Sequence, residues 1–524
     1  MTAPLAGFVV TACGRSTASR PALEVLTGLG AVPDGPADRP GPTGAVRIEH
    51  AGSGRQGRAR LTELPHALVG VAASGVPAGV VELALGRGLA AGALAAWVGS
   101  RPVEVDSLAV VLQLHLPAVM AAAYGSRWWP RPPRPRPAPG GGWLNVEVGA
   151  PGDADAFDRL MGAAVGADAG ALATEAQAWR LAVCEYRAGR RPPPWRSGRR
   201  APPSRAEHHR SSSPVEARSV PSRDGHRAAV DESPLAGLRV CDLTAMWAGP
   251  LATWLLAQLG ADVVKVEPTF RPDGTRAVTG PGVWPGGRRR GPAGCDSALF
   301  NALGSNKRTV AIDAPPDGAD LLRVATSADL LIDSFSPRVM PQLGLDDSAL
   351  GQQAPSLISL SIPAFPEGPL RPWVAYGTGV HALSGLGWSG TEAEEEPFAA
   401  PGVSYPDPLA GLEAAVTALA GVAARRAGWA PSHLEVSLAT TVEPLLEGVG
   451  RAMPEPRPDA GSVLLRAAVV SGAAQTVVDA AGVHFYPAPP FRGVGLGAGT
   501  EAAPRWPPPP LPGGPGGMEL PWRR

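Results

Sequence analysis

The sequence predicts an α/β protein: a Rossmann-like open parallel sheet accompanied by a smaller α/β domain. Three observations carry that prediction. Residues 234–268 read as strand, turn, helix and second strand, which is one βαβ unit. Short apolar runs follow at 306–313, 328–335 and 355–362, as fits buried parallel strands. Residues 4–31 also align without gaps to 234–261, with eleven identities in 28 positions, so the chain reads as two related copies in tandem.

Taken in order, the N-terminal stretch MTAPLAGFVVTACG lacks a basic leader and reads as the start of a strand. Residues 67–98 are the most apolar part of the chain. They carry Glu82 and Arg87 and are rich in glycine and alanine, so no membrane span is expected there. A looser echo of the repeat joins Arg101–Val105 and Leu108-Ala109 to Leu434–Ala439. Between Val32 and about Val80 the first copy is too short for the several βα units that the second holds between Val263 and Val403. Trp128–Gly142 alternates proline with arginine and reads as a stiff, solvated loop. Residues 187–231 form a basic linker rich in serine and proline. Its arginines lack interleaved aromatics, so a solvated spacer is expected in place of a nucleic-acid surface.

In the second copy, Leu238–Leu243 is the first strand. Ala248-Gly249-Pro250 breaks it, and Pro250 suits a first helical turn. Leu251, Trp254, Leu255 and Leu259 recur at helical spacing, Gly260 caps the helix, and Asp262–Glu267 begins the next strand. The loop Thr244–Gly249 lies beyond the carboxyl end of a parallel strand, where open α/β sheets bind ligands. Pro406 to Gly411 opens a long Ala/Leu-rich helix that runs to about Arg426.

Composition narrows the function. With 47 basic and 47 acidic residues the chain has no net charge, so bulk electrostatics favours neither nucleic acid nor an anionic membrane. Lys265 and Lys307 are its only lysines. Four scattered cysteines have neither metal-ligand spacing nor disulfide density, which leads to the expectation of a reducing cytoplasm and no metal site.

The order of segments from Pro234 to Met453 resembles the family III CoA-transferases (CaiB/BaiF), the group that includes formyl-CoA transferase. The residues that carry the likeness are the βαβ unit, Asn306–Val310, Ala328–Phe335, Leu343–Leu345, Pro355–Ile362, His381–Leu386, Pro406–Gly411 and Leu434–Leu438. The resemblance implies an α/β large domain at 233–455 and a reduced first copy at 1–190. A linker at 191–232, a returning segment at 456–493 and a disordered tail at 494–524 complete the division. Gly142–Val148 with helical 154–187 resembles the family's smaller domain, which the two copies would share.

Asp407 by itself reads as a carboxylate stabilised at a helix N-terminus. The resemblance makes it the nucleophile, since the family's aspartate stands four residues before a glycine at the start of this helix. The implied activity moves CoA from an acyl-CoA donor to a carboxylic acid acceptor through an aspartyl-CoA thioester. CoA is then a substrate, and no tightly bound cofactor is expected. CoA contacts are expected at Trp247, Ile312, Ser334, Phe335 and Leu343, with Arg276, Lys307, Arg308 or Arg338 meeting its phosphates. Pro268, Pro315, Ser334, Gln342 and Val374 stand where relatives carry basic or amide side chains. That departure, with the eroded first copy, keeps a non-catalytic or regulatory relative as the alternative. A third reading is an α-methylacyl-CoA racemase-like enzyme, but the histidine of that branch falls at Tyr376 and its aspartate at Gly377, with His381 five residues on. A homodimer or an intramolecular pseudo-dimer is expected.

Overall fold

The computed structural model describes residues 5, 8–13, 19–33, 45–50, 56–61, 77–124, 134–147, 152–164, 166–187, 193–196, 233–269, 272–276, 298–312, 319–387, 397, 404–428, 433–447, 459–479, 482–493 and 521–522. The chain begins with β1 (Phe8–Cys13), α1 (Ser19–Gly28) and β2 (Val32–Pro33). β3 (Ala45–His50) and β4 (Gln56–Leu61) follow as an antiparallel pair. The long helix α2 (Ala78–Gly99) leads to β5 (Val103–Val105), which runs parallel to β4. α3 (Ser107–Leu114) starts where Asp106 accepts the Ala109 N–H at 3.1 Å, and α4 (Leu116–Tyr124) continues it.

A small sheet comes next: β6 (Arg136–Pro137), β7 (Trp143–Glu147), α5 (Asp153–Ala163), α6 (Ala169–Ala178) and β8 (Ala182–Tyr186). Its strands are antiparallel in the order β6-β7-β8. Alternation along the strands decides its two faces. Leu144, Val146 and Val183 turn to the helices and pack with Phe157, Leu160 and Leu172. Trp143, Asn145, Glu147, Cys184 and Tyr186 occupy the other face, which turns to the second half of the chain.

The second half contains β9 (Arg239–Leu243), α7 (Ala248–Gln258), β10 (Asp262–Pro268), α8 (Ala298–Gly304), β11 (Arg308–Ile312), α9 (Ala319–Thr326) and β12 (Leu330–Asp333). It goes on through α10 (Val339–Gln342), α11 (Asp347–Gln353), β13 (Ile358–Ser361), α12 (Gly377–Ser384), α13 (Pro406–Arg426) and β14 (His433–Glu435). All five strand pairings are parallel, and the order is β11-β10-β9-β12-β13-β14. This is the doubly wound order 3-2-1-4-5-6, whose direction of winding reverses between β9 and β12. The expected open parallel sheet is present, as is the smaller α/β unit.

After the short helices α14 (Leu438–Thr441) and α15 (Glu443–Glu447), α16 (Ala460–Ser471) leads to the hairpin β15 (Ala474–Asp479) and β16 (Gly482–Pro487). β17 (Phe491–Arg492) then adds to the first sheet beside β5. The returning segment therefore joins the N-terminal half.

The repeat is legible in backbone geometry. Val9 pairs with Val32 and Val10 with Pro33; the positions aligned with them, Arg239 with Asp262 and Val240 with Val263, pair in the same register. Leu5 N–H meets Leu29 O at 2.8 Å, and Leu235 N–H meets Leu259 O at 2.9 Å. Gly30 and Gly260 both take positive φ, 100° and 93°. A Cβ on Gly86 of α2 would meet Pro21 at 2.5 Å, and one on Gly411 of α13 would meet the Leu251 side chain at 2.9 Å, which is the aligned position. The first sheet keeps the spatial order β2-β1-β3-β4-β5. Among these five strands β3 alone runs against its neighbours, because a hairpin needs far fewer residues than a parallel crossover.

α2 and α13 pack against each other, and Arg87 crosses between them to Glu413 Oε2, with Nε at 2.9 Å. Both helices are long and apolar enough to span a membrane, yet 83% and 89% of their apolar windows lie inside the fold. Three expectations need correction. Arg136 and Pro137 of the Pro/Arg stretch form a strand with β7. Trp195, assigned to the linker, is buried and donates to Glu443 Oε1 at 3.1 Å. Trp522, assigned to the tail, donates to Ser327 Oγ at 2.9 Å. Apart from residues 193–196 and 521–522, the linker and tail lie outside the described residues.

Candidate active site

The chain reversal between β9 and β12 positions the first βα loop. Thr244 N–H and hydroxyl both reach Asp242 Oδ1, at 2.9 and 2.6 Å. Ala245 N–H donates to Ser334 Oγ at the end of β12, 3.0 Å away. Met246 takes a positive φ of 75°, and its N–H donates to Asp273 Oδ1 at 3.2 Å. A bulky residue in the left-handed region stores backbone strain, here held by Asp242 of β9 and by Asp273 and Ser334 in the loops after β10 and β12. Trp247 follows, largely buried, with no partner for its indole N–H among the described residues.

The two lysines lie beneath this loop. Lys265 Nζ donates to Thr244 O at 2.5 Å and pairs with Asp273 at 2.9 Å. Lys307 Nζ reaches Asp242 Oδ2 at 3.2 Å, Thr253 Oγ1 at 2.7 Å and Pro250 O at 2.9 Å. Burial brings the Lys307 amine down to about 8, against the pull of Asp242. Lys307 thus holds the loop from inside, and neither a solvated turn nor a phosphate contact describes it. Arg308 pairs with Asp262 and Pro521 O. Arg276 is buried, forks onto Glu267 at 2.7 Å and lies 3.6 Å over the Phe300 ring. Lys307 precedes β11, and its amine reaches the carboxyl end of β9 and the first turn of α7, under the first βα loop, whereas Arg308 begins β11 and meets Asp262 at the start of β10. Of the four expected cations, Arg338 alone has no side-chain partner among the described residues, and it follows β12 on the carboxyl side.

Ile312, Ser334, Phe335 and Leu343 all follow strands or turns on that carboxyl side. Ile312 is buried in the apolar layer that Phe335 and Leu343 partly cover. Residues 313–318, including Pro315, lie outside the described residues.

Asp407 stands in the first turn of α13 and is partly buried. Gly411, one turn on, packs without a side chain against Ala248, where a Cβ would lie 2.7 Å from the carbonyl oxygen. At 1.5 Å rise per residue this puts Asp407 about 6 Å along the helix from the Trp247–Ala248 loop. The Asp407 carboxylate accepts from the Gly377 N–H at the start of α12, beside Ser404. A Cβ on Gly377 would be 1.9 Å from Asp407 Oδ2, so only glycine admits the carboxylate there. Burial pushes the Asp407 carboxyl up to about 7, against these hydrogen bonds.

Sequence reasoning missed Glu147. It ends β7, is 9% exposed, and accepts from the Thr378 hydroxyl and the Tyr376 N–H. Asn145, two residues earlier on the same face, donates to Thr378 Oγ1 at 3.3 Å. Burial, and next the charge of Asp407, push the Glu147 carboxyl well above its usual range. The period-2 spacing of Asn145 and Glu147 in an apolar strand was the available signal. Tyr376 and His381 are parted by α12: His381 is buried, tilted against Tyr405 at 5.7 Å, and burial lowers its imidazole to about 4. His115, from the first half, also packs against Tyr405, edge-on at 6.3 Å. His115 has no hydrogen-bond partner among the described residues, and burial lowers both imidazoles to about 4, which fits two neutral rings.

Part of the chain is similar to known proteins. Residues 235–455 match the family model described as CoA-transferase family III. The chain is 31% identical over 213 residues to the acetyl-CoA:oxalate CoA-transferase of Acetobacter aceti, covering 40% of this chain and 52% of that protein. It is 34% identical over 182 residues to the succinate–glutarate CoA-transferase of Agrobacterium fabrum, covering 34% and 44%. A solved CAIB/BAIF family protein from Brucella suis is 25% identical over 48% of this chain and 65% of its own, at a TM-score of 0.36. The chain spans about half the length of the curated relatives it matches.

Proposed function

Because residues 235–455 belong to CoA-transferase family III, we propose that the chain transfers CoA from an acyl-CoA donor to a carboxylic acid, with Asp407 as nucleophile. An Asp407 oxygen attacks the thioester carbonyl, the C–S bond breaks, and CoA leaves as thiolate from a mixed anhydride. The thiolate then attacks the aspartyl carbonyl of that anhydride, the donor acid leaves as carboxylate, and an aspartyl-CoA thioester remains. The acceptor carboxylate attacks this thioester and releases thiolate again. Attack of the thiolate on the acceptor's carbonyl gives the new acyl-CoA and restores the carboxylate. No proton or electron is consumed, and one hard exchange becomes four easier ones.

The supporting observation is the position of Asp407, a partly open carboxylate held by the Gly377 N–H one helical turn from the loop at the reversal of strand order. Trp247, Ile312, Ser334, Phe335 and Leu343 would line the CoA path from the carboxyl edge, and Arg338 would meet a phosphate. The relatives' names give oxalate, succinate and glutarate, so a short dicarboxylate is our acceptor class. The shared register of the two halves supports an intramolecular pseudo-dimer. The buried free thiols Cys184 and Cys241 accord with a reducing cytoplasm.

The test is trapping. Incubation with succinyl-CoA and hydroxylamine should inactivate the protein and leave a hydroxamate on Asp407, read by peptide mass spectrometry. Bound acyl-CoA with Asp407 unmodified would instead favour the non-catalytic relative. The pairing of Arg276, Lys307 and Arg308 with protein acceptors is the observation on that side.

A further inference from the structure

The transfer cycle above uses no residue of the N-terminal half, yet that half delivers a carboxyl group to the nucleophile. Three consecutive residues at the start of α12 serve two acids. Tyr376 N–H and the Thr378 hydroxyl donate to Glu147, and Gly377 N–H donates to Asp407. No lysine or arginine pairs with either acid among the described residues. We propose that Glu147 and Asp407 form one carboxyl pair holding a single proton, kept on Glu147, so that Asp407 is the bare nucleophile and Glu147 its neutral positioning partner. The proposal deepens the transferase reading and rests on it for its consequence, but the pair itself can be measured without turnover.

Two ionised carboxylates beside one helix end, with no cation between them, repel strongly in a poorly solvated space, and one of them retains its proton. Burial selects which. Glu147 is 9% exposed and its Oε2 is closed off without a hydrogen-bond partner among the described residues, whereas Asp407 keeps part of its surface open. A buried oxygen with no donor suits a neutral carboxyl far better than an anion. The other groups facing Glu147 do not alter this. Cys184 and Tyr186 on β8 are kept neutral by burial, and so is His381 on α12. The shifts agree in direction: Glu147 lies well above the carboxylate range and Asp407 rises to about 7.

The chemical consequence concerns the acceptor. An incoming carboxylate would meet one negative charge at the site in place of two. Once Asp407 is acylated and neutral, the remaining carboxyl, Glu147, can stay uncharged beside it. The N-terminal half then supplies a group the reaction depends on, not only a packing surface.

The test uses the full chain and two readings. Infrared spectra of wild type at about pH 9, where Asp407, at about 7, is ionised, should contain a protonated-carboxyl carbonyl band that is absent in Glu147→Gln. In the same variant the midpoint of the pH dependence of hydroxamate trapping at Asp407 should stay within about half a unit of wild type, since Glu147 is already uncharged while Asp407 titrates. A fall of about one unit or more would overturn the placement of the proton. Asp407→Asn is the second variant if Glu147→Gln does not fold. There Glu147 should ionise at lower pH, and the band should weaken at that same pH. Absence of the band in wild type, its persistence in Glu147→Gln, or an unmoved titration in Asp407→Asn would overturn the pair. A pair seen in the infrared without any trapping would refute the transferase reading and leave the pair standing.

Discussion

Gly377→Ala tests the geometry most directly. The added Cβ would lie 1.9 Å from Asp407 Oδ2, 2.4 Å from its Cγ and 2.2 Å from Ser404 Oγ. Ordinary contact needs about 3.5 Å, so the carboxylate must move by more than about 1 Å. A misplacement of that size costs roughly 100-fold in rate, or about 2.7 kcal/mol of barrier. Stability should change less. Overpacking costs about 1–3 kcal/mol, and alanine returns about 0.5–1 kcal/mol over glycine within a helix. The assay is CoA transfer from succinyl-CoA to oxalate or glutarate, with urea unfolding in parallel. Gly162→Ala, which meets nothing within 4 Å in α5, is the control and should leave the rate unchanged. A folded Gly377→Ala protein with a wild-type turnover number would refute the placement of Asp407.

Three further outcomes follow from the same arrangement. Burial raises the Asp407 carboxyl from an ordinary 3.8 to about 7, so the folded state holds a proton that the unfolded chain has lost. Its contribution to stability therefore falls as pH rises from about 4 to about 7 and is constant above, while transfer activity rises over the upper part of that window; urea unfolding of Asp407→Asn across this range should show a flatter slope. Lys307→Met leaves Asp242 charged and buried, and should cost about 3–5 kcal/mol in urea unfolding. Arg338→Ala should raise the KM for acyl-CoA roughly tenfold through one lost charge-assisted contact, with the unfolding midpoint unchanged.

The sequence alone determined the βαβ unit, the doubly wound class and the repeat, because each is written in local periodicity and in residues a few positions apart. The run from Leu238 to Glu267, with Gly260 as its cap, could hardly form anything else. The family resemblance also marked Asp407, through the family's aspartate four residues before a glycine, a spacing that the contact of Gly411 with Ala248 explains. What it could not assign was the use of each charge. Lys307 and Arg308 read as a free basic turn until the fold set Lys307 beneath the first βα loop against Asp242, and Arg308 against Asp262 at the start of β10. The pairing of Glu147 with Asp407 was likewise invisible, because 260 positions separate them along the chain. Only the closing of the small sheet onto α12 brings those two carboxyls to one helix end. Electrostatic neighbours are a property of three-dimensional distance, and periodicity along a chain carries no record of it.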